Sequence, residues 1–149
     1  MKRSEGLDVV QQVTARTERE RAERVGAAQR HLVEMQQKLA ALERYRSEYE
    51  SGFAARAGAG LGVVGMRDFQ TFLARLGEAL AQQRELIVLA EGALEAERSH
   101  WREAAQRAHV VDTLADRWQS EEKRAADRRD QQDSDELSSQ RATSKERNT

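Results

Sequence analysis

Cysteine and proline are both absent from this chain of 149 residues, and aromatic residues make up only 5% of it. Without cysteine the chain has no disulfide framework and no thiolate metal site. With so few large apolar side chains, there is too little apolar volume for a broad globular core. Ala, Glu, Arg, Gln and Leu dominate instead, and this composition is typical of long helices or a coiled coil. No strands are expected.

An excess of one charge is also missing. The 25 basic and 26 acidic residues are interleaved and give a formal net charge of -1, which argues against a basic surface that binds nucleic acid. The N-terminal stretch 7–12, LDVVQQ, is no signal-peptide apolar core. The run of low charge at 57–66 is far too short to span a bilayer. We therefore expect a soluble, cytoplasmic protein.

The longest ordered pattern is an apolar seam between residues 69 and 118. Alternating steps of four and three residues follow one face of a helix, and seven heptads of this spacing predict a coiled coil. Only Gln83 and Glu97 are polar along it. The seam residues are Phe69, Leu73, Leu76, Leu80, Gln83, Ile87, Ala90, Leu94, Glu97, Trp101, Ala104, Ala108, Val111, Ala115 and Trp118.

A second seam precedes the first along the chain. It is clearest at Val25, Ala28, Leu32, Met35, Leu39 and Leu42. Five glycines between residues 51 and 65 predict a turn, because glycine destabilises a helix interior. We predict an all-α fold, an antiparallel coiled-coil hairpin spanning 1–128, with helices at 7–50 and 66–128 and a turn at 51–65. The polar segment 129–149 is expected to be a disordered tail.

The hairpin predicts which residues face each other. A turn near residue 59 pairs residues whose numbers sum to about 118, so Met35 lies opposite Gln83 and Arg21 lies opposite Glu97. The second pair would match the one charge in the long seam with an opposite charge. Trp118 is expected to project beyond the start of helix one.

No catalytic constellation is visible. His31, His100 and His109 lack metal-ligand spacing, and no Ser or Thr has a base placed near it. The segment 60–65 satisfies GxGxxG, but an amphipathic helix precedes it where a dinucleotide site needs a strand. We predict no enzyme activity, no catalytic residue, no metal, no cofactor and no small-molecule ligand.

An excess of apolar residues lies near the turn. Phe72, Ala79 and Leu86 form a second stripe beside the seam, and Tyr45 and Tyr49 leave the other seam at about the same height. A two-stranded coiled coil buries one stripe, so the second should be partly exposed and mark a partner site. The alternative is that these side chains merely thicken the seam.

Four sequence pieces carry a family resemblance. YRSEY at 45–49, DFQTFLARL at 68–76, QQ at 82–83 and LDVV at 7–10, with their spacing around a glycine-containing turn, resemble the flagellar FliJ family. These proteins are components of the type III flagellar export apparatus. The resemblance covers about residues 4–120, and its specific part is the pair of motifs that flank the turn.

The resemblance implies a fold like the antiparallel coiled coil of the rotary ATPase gamma subunit. It also implies a role as a central stalk that binds the hexameric export ATPase, links it to the cytoplasmic domain of the export gate protein and assists export chaperones, peripheral to the inner membrane. The implied gate-binding patch is Leu42, Tyr45, Tyr49, Phe72, Leu76, Ala79 and Gln83, with Lys38 where the family more often has an uncharged polar residue. The end expected to bind the ATPase contains Leu7, Val10, Val111 and Trp118.

Three other interpretations fit the same residues. An export chaperone or escort would use the apolar patch near the turn on its substrates. A plain structural coiled coil would dimerise through its seams. A counterpart in an injectisome would serve a different secretion system with the same architecture.

Overall fold

The computed structural model describes residues 2–148, and two long helices account for nearly all of them. Helix α1 spans Arg3–Ala57 and helix α2 spans Val63–Arg147. The two helices pack against each other as a hairpin, and no strand occurs within the described residues. This confirms the predicted all-α hairpin. No helix of the described part is long and apolar enough to cross a bilayer.

The turn is shorter than the sequence predicts. It occupies 58–62 rather than 51–65, because α1 continues through Ala54, Ala55 and Ala57, which favour helix, and Phe53 stacks on Phe69. Gly60 has a φ of 88°, a left-handed conformation that glycine adopts without strain. One residue of this kind reverses the chain.

The segment after residue 128 differs from the prediction. Instead of a disordered tail, α2 continues to Arg147, with exposed side chains throughout 127–148. Local hydrogen bonds support this part: the Gln131 amide donates to Asp135 at 3.1 Å, and the Thr143 hydroxyl donates to the carbonyl of Ser139 at 3.0 Å. With no glycine or proline after Gly92, nothing in the sequence interrupts the helix.

The described chain divides into two compact units. We call Glu20–Arg102 the turn unit, and Met1–Arg19 with Glu103–Thr149 the terminal unit. Each contains a part of both helices. Since the buried residues of each unit come from α1 and α2 together, each unit has its own section of the seam.

The turn unit holds the bulky part of the core. Leu80 is completely buried. The largest cluster consists of Leu32, Met35, Ala90 and Leu94, with Val25, Ala28 and Ile87 packed against it. Each buried leucine contributes about 1.5–3 kcal/mol to stability.

Gln83 fixes the pairing of the helices in the turn unit. It is buried, and its side-chain amide donates hydrogen bonds to the Met35 carbonyl at 2.9 Å and to the Met35 sulfur at 3.5 Å. The predicted pairing of Met35 with Gln83 is confirmed. The Gln83 amide can reach this partner in a single register of the two helices. In any slipped register it would be buried without a hydrogen bond, which costs free energy.

Glu97 does not have the partner that the sequence predicts. Its Oε2 atom is buried and accepts no hydrogen bond within the part of the chain that the structure describes. The prediction of a compensating Arg21–Glu97 pair is wrong for this oxygen. Facing positions bring two backbones near each other, but they do not fix where the ends of two long, flexible side chains lie.

The terminal unit is packed through alanine. Its buried apolar residues are Ala104, Ala108 and Ala115. A polar clasp adds to this small core: Ser4 is buried and donates from its backbone N–H at 3.1 Å and from its hydroxyl at 2.6 Å to the two carboxylate oxygens of Glu122. The carboxylate thereby caps the start of α1, where backbone N–H groups lack partners within the helix.

The clasp makes the start of α1 sensitive to pH. The hydrogen bonds from Ser4 hold the pKa of the Glu122 carboxyl below its ordinary value of 4.5. Because the folded-state pKa is lowered, the clasp stabilises the fold above the ordinary pKa and loses its effect as the pH falls through the lowered pKa.

We expect Glu122→Gln to lower the hydrogen-exchange protection of the Ser4 amide several-fold at neutral pH, because the charged acceptor is lost. The difference from the parent should shrink as the pH falls through the lowered pKa. Amide exchange followed by NMR measures both. Glu121→Gln is the control, since Glu121 pairs with Arg117 on the exposed side. Equal protection in both variants would contradict the capping role.

Candidate functional site

Five aromatic rings lie together next to the turn, and we call them the aromatic cluster: Tyr45, Tyr49, Phe53, Phe69 and Phe72. α1 supplies the first three and α2 the other two. The Phe53 and Phe69 rings stack with centroids 3.5 Å apart, and those of Tyr49 and Phe72 are 4.2 Å apart. Tyr45 meets Phe72 edge-on at 5.8 Å. Such pairs contribute about 0.5–1.5 kcal/mol each beyond their buried area.

The cluster is accessible mainly through Tyr45. This side chain is 50% exposed, whereas Tyr49, Phe53, Phe69 and Phe72 are half-buried. The large amphipathic ring of Tyr45 therefore stays in contact with water although four other aromatic rings lie nearby. An aromatic side chain held in a fixed position by other rings is well suited to bind another protein, because little conformational entropy is lost.

The members of the predicted gate-binding patch differ in exposure. Leu42 and Ala79 are half-buried beside the aromatic cluster, and Lys38 is exposed. Leu76 and Gln83 are buried, at 6% and 8% exposure. The side chains of Leu76 and Gln83 are therefore part of the buried seam. They pack under the patch and are not available to a partner.

The glycines of the GxGxxG segment serve the turn. Helix α1 ends at Ala57, shortly before this segment, where a dinucleotide site would need a strand. The Met66 N–H donates to the Gly62 carbonyl at 3.1 Å in the first turn of α2. At Gly65 an added Cβ would collide with the Leu61 side chain. Both observations concern helix geometry. Within the described residues, no group of three or more His, Asp or Glu side chains is placed to hold a metal ion.

The residues predicted to bind the ATPase all lie in the terminal unit. Val10 is 42% exposed, and Leu7, Val111 and Trp118 are half-buried. Three further exposed valines accompany them, Val9, Val13 and Val110. Seam counting missed Val13 because it considers only the buried face. An apolar residue off the seam was the signal that could have identified it.

Trp118 does not stand on an unpaired overhang. Its ring lies under the Arg3 guanidinium, whose carbon is 5.3 Å from the ring centroid. The prediction failed because α1 begins at Arg3 rather than at residue 7 and so reaches this level of α2. A cation over an indole face is worth about 0.5–1 kcal/mol at an exposed site.

Charged groups elsewhere on α2 pair locally. Arg102 donates to Glu95 at 2.9 Å and holds the pKa of that carboxyl below its ordinary value through the hydrogen bond and its charge. Both side chains are more than half exposed, so their pairing adds little to stability. The aromatic cluster and the valines of the terminal unit therefore remain the two candidate binding surfaces.

The chain matches the model of a known protein family. The model described as "Flagellar FliJ protein" matches residues 3–147, nearly the whole chain. The chain belongs to the FliJ family. FliJ proteins are structural, non-catalytic components of the flagellar export apparatus. No curated protein and no solved structure matches the chain.

Proposed function

We propose that this FliJ protein acts as the central stalk of the export apparatus and binds two partners through two separate surfaces. The aromatic cluster, with Leu42 and Ala79, binds the cytoplasmic domain of the export gate protein. Leu7, Val10, Val111 and Trp118 bind the interior of the hexameric export ATPase. The chain works by binding alone, without catalysis, cofactor or metal, and takes a peripheral position at the inner membrane through the gate.

The observation that carries the proposal is the half-exposed Tyr45 at the edge of a packed aromatic cluster. Interface hot spots are enriched in tyrosine, and they are ordered before binding by their neighbours. Exposure of such a cluster costs stability in water, and this cost is offset when a partner covers it.

The two proposed surfaces belong to different units. Every gate-patch residue lies within Glu20–Arg102, and every ATPase-binding residue lies in the terminal unit. Substitutions on one surface therefore leave the core residues of the other unit unchanged. This separation permits an experiment in which each partner is lost independently.

Tyr45→Ala should weaken binding to the gate's cytoplasmic domain by at least about 10-fold, the usual loss at a hot spot. Its thermal melt should stay cooperative and shift by only a few degrees, since the residue is 50% exposed and loses its ring contacts with Tyr49 and Phe72 alone. Val10→Asp should weaken only ATPase binding, because a charge is placed in an apolar contact. Titration calorimetry of the full chain against each purified partner measures both.

Leu89→Ala is the matched control for Tyr45→Ala, since Leu89 is 69% exposed in the same unit but outside the patch. It should bind both partners like the parent. If Tyr45→Ala binds the gate normally, the gate assignment fails. Loss of binding to export chaperones with intact gate binding would favour the escort function, which would use the same aromatic surface.

A further inference from the structure

A third exposed apolar surface lies at the turn itself. Val63 and Val64 are 77% and 74% exposed, the most exposed of the large apolar side chains of the described residues, and Met66 is 42% exposed. Leu61 is 36% exposed. We call these four residues the tip surface. None of them belongs to the aromatic cluster or to a seam, so neither the fold nor the proposed partners account for their exposure.

The backbone holds the tip surface in a defined arrangement. Gly60 reverses the chain with its left-handed φ, and the Leu61 side chain lies over Gly65, in the space that a Cβ there would occupy. The Met66 N–H closes the first helical turn on the Gly62 carbonyl. The apolar side chains therefore project from an ordered helix start.

The charge around the tip surface has one sign. Between Glu50 and Asp68 there is no acidic residue, and the two charged residues there are Arg56 and Arg67, both exposed. This segment carries a charge of +2 in a chain whose formal net charge is -1. The other residues of the segment are mainly glycine, alanine and the four tip residues. Elsewhere along the chain, acidic and basic residues alternate closely.

We propose that the tip surface contacts an anionic lipid membrane. Apolar side chains on a short projection, flanked by arginines and free of carboxylates, complement a surface with acyl chains beneath anionic headgroups. Valine, leucine and methionine enter the boundary region, while the arginine side chains extend to the phosphates. Apolar side chains can insert into a bilayer without a groove of complementary shape. The tip surface consists of single projecting side chains, so a bilayer is a suitable partner. The insertion is shallow and spans nothing, in agreement with the absence of a membrane-crossing helix among the described residues.

The contact is testable with the full chain alone, without gate or ATPase. The chain contains no cysteine, so Ala59→Cys provides a single site for an environment-sensitive fluorophore at the turn. We expect co-flotation with vesicles of phosphatidylcholine and phosphatidylglycerol and a blue shift of the label. The same label at Ser138→Cys, in the terminal unit, should show no shift. Vesicles of phosphatidylcholine alone should bind much more weakly.

Variants separate the apolar and the charged contributions. Val63→Ser with Val64→Ser should lower the partition coefficient by more than about 10-fold, because the inserted apolar area is lost without a change of charge. Arg56→Gln and Arg67→Gln should each lower it by roughly 5-fold on anionic vesicles only. The matched control is Val88→Ser with Leu89→Ser, which are 65% and 69% exposed on the same helix but have Glu85 and Glu91 beside them. It should bind like the parent.

Two outcomes would overturn the proposal. The first is a parent chain that stays in the soluble fraction for every lipid composition, which would leave the tip surface for a protein partner. Alternatively, the Val88 and Leu89 variant loses vesicle binding as strongly as the Val63 and Val64 variant, which would make the binding nonspecific. Gate and ATPase titrations of the tip variants should match the parent. The lipid contact and the stalk function therefore succeed or fail separately.

Discussion

Leu80→Asp is expected to lower the free energy of unfolding by about 5 kcal/mol. Leu80 is completely buried in the turn unit. Loss of its buried methyl groups costs about 2–5 kcal/mol, and a carboxylate without a partner in the seam adds to this. Because single domains of this size are stable by only about 5–15 kcal/mol, the variant should be largely unfolded. Urea denaturation followed by helical circular dichroism measures the loss.

Leu89→Asp is the matched control for this experiment. It introduces the same charge for the same side chain on the same helix, but at a position that is 69% exposed. The free energy of unfolding should change by no more than about 0.5 kcal/mol, as is usual for surface substitutions. If both variants lose the same stability, the seam is not the core of the hairpin.

The second large effect is a gain in stability. Glu97→Leu should raise the free energy of unfolding by about 2 kcal/mol, because it removes a buried oxygen that has no hydrogen-bond partner and places an apolar side chain in an apolar seam. Thermal and urea denaturation of the variant measure the gain. Glu91→Leu, at an exposed position in the same unit, should show no comparable gain. A destabilised Glu97→Leu would mean that the carboxylate has a stabilising partner.

Periodicity was sufficient to predict the core. Every buried apolar residue of the described chain lies on one of the two predicted seams, from Leu32 on α1 to Ala115 on α2. The pairing of Met35 with Gln83 followed from the position of the turn. These features depend on helix geometry and on the burial of apolar area. The spacing of apolar residues along the sequence indicates both of these properties.

The ends of the helices could not be predicted in the same way. Seam spacing says nothing about α1 beyond residue 50, where the helix is held by the stacking of Phe53 on a ring of the other helix. It also misses the start at Arg3, which depends on the contact between Ser4 and Glu122. Contacts between residues distant in sequence decide these ends, and a local pattern does not contain them.

For the candidate site, the sequence predicted the place but not the exposure of each residue. Tyr45 and Phe72 were expected beside the seam, and the structure brings them together. Leu76 and Gln83 proved to be buried, since a residue can belong to a motif and to the core at once. The exposed valines of the tip surface lie within the GxGxxG segment, but that spacing gave no sign of their exposure, which depends on how α2 begins.

The position of the aromatic cluster next to the turn also bears on the order of events in folding. Phe53 and Phe69 are 16 positions apart along the chain, whereas Ser4 and Glu122 are separated by 118. If each contact forms from the open chain, the entropic cost of loop closure is lower for the Phe53–Phe69 contact than for the Ser4–Glu122 contact by about 2 kcal/mol. Entropy therefore favours nucleation at the rings, followed by growth of the paired helices from the turn, with the Ser4–Glu122 clasp closing last.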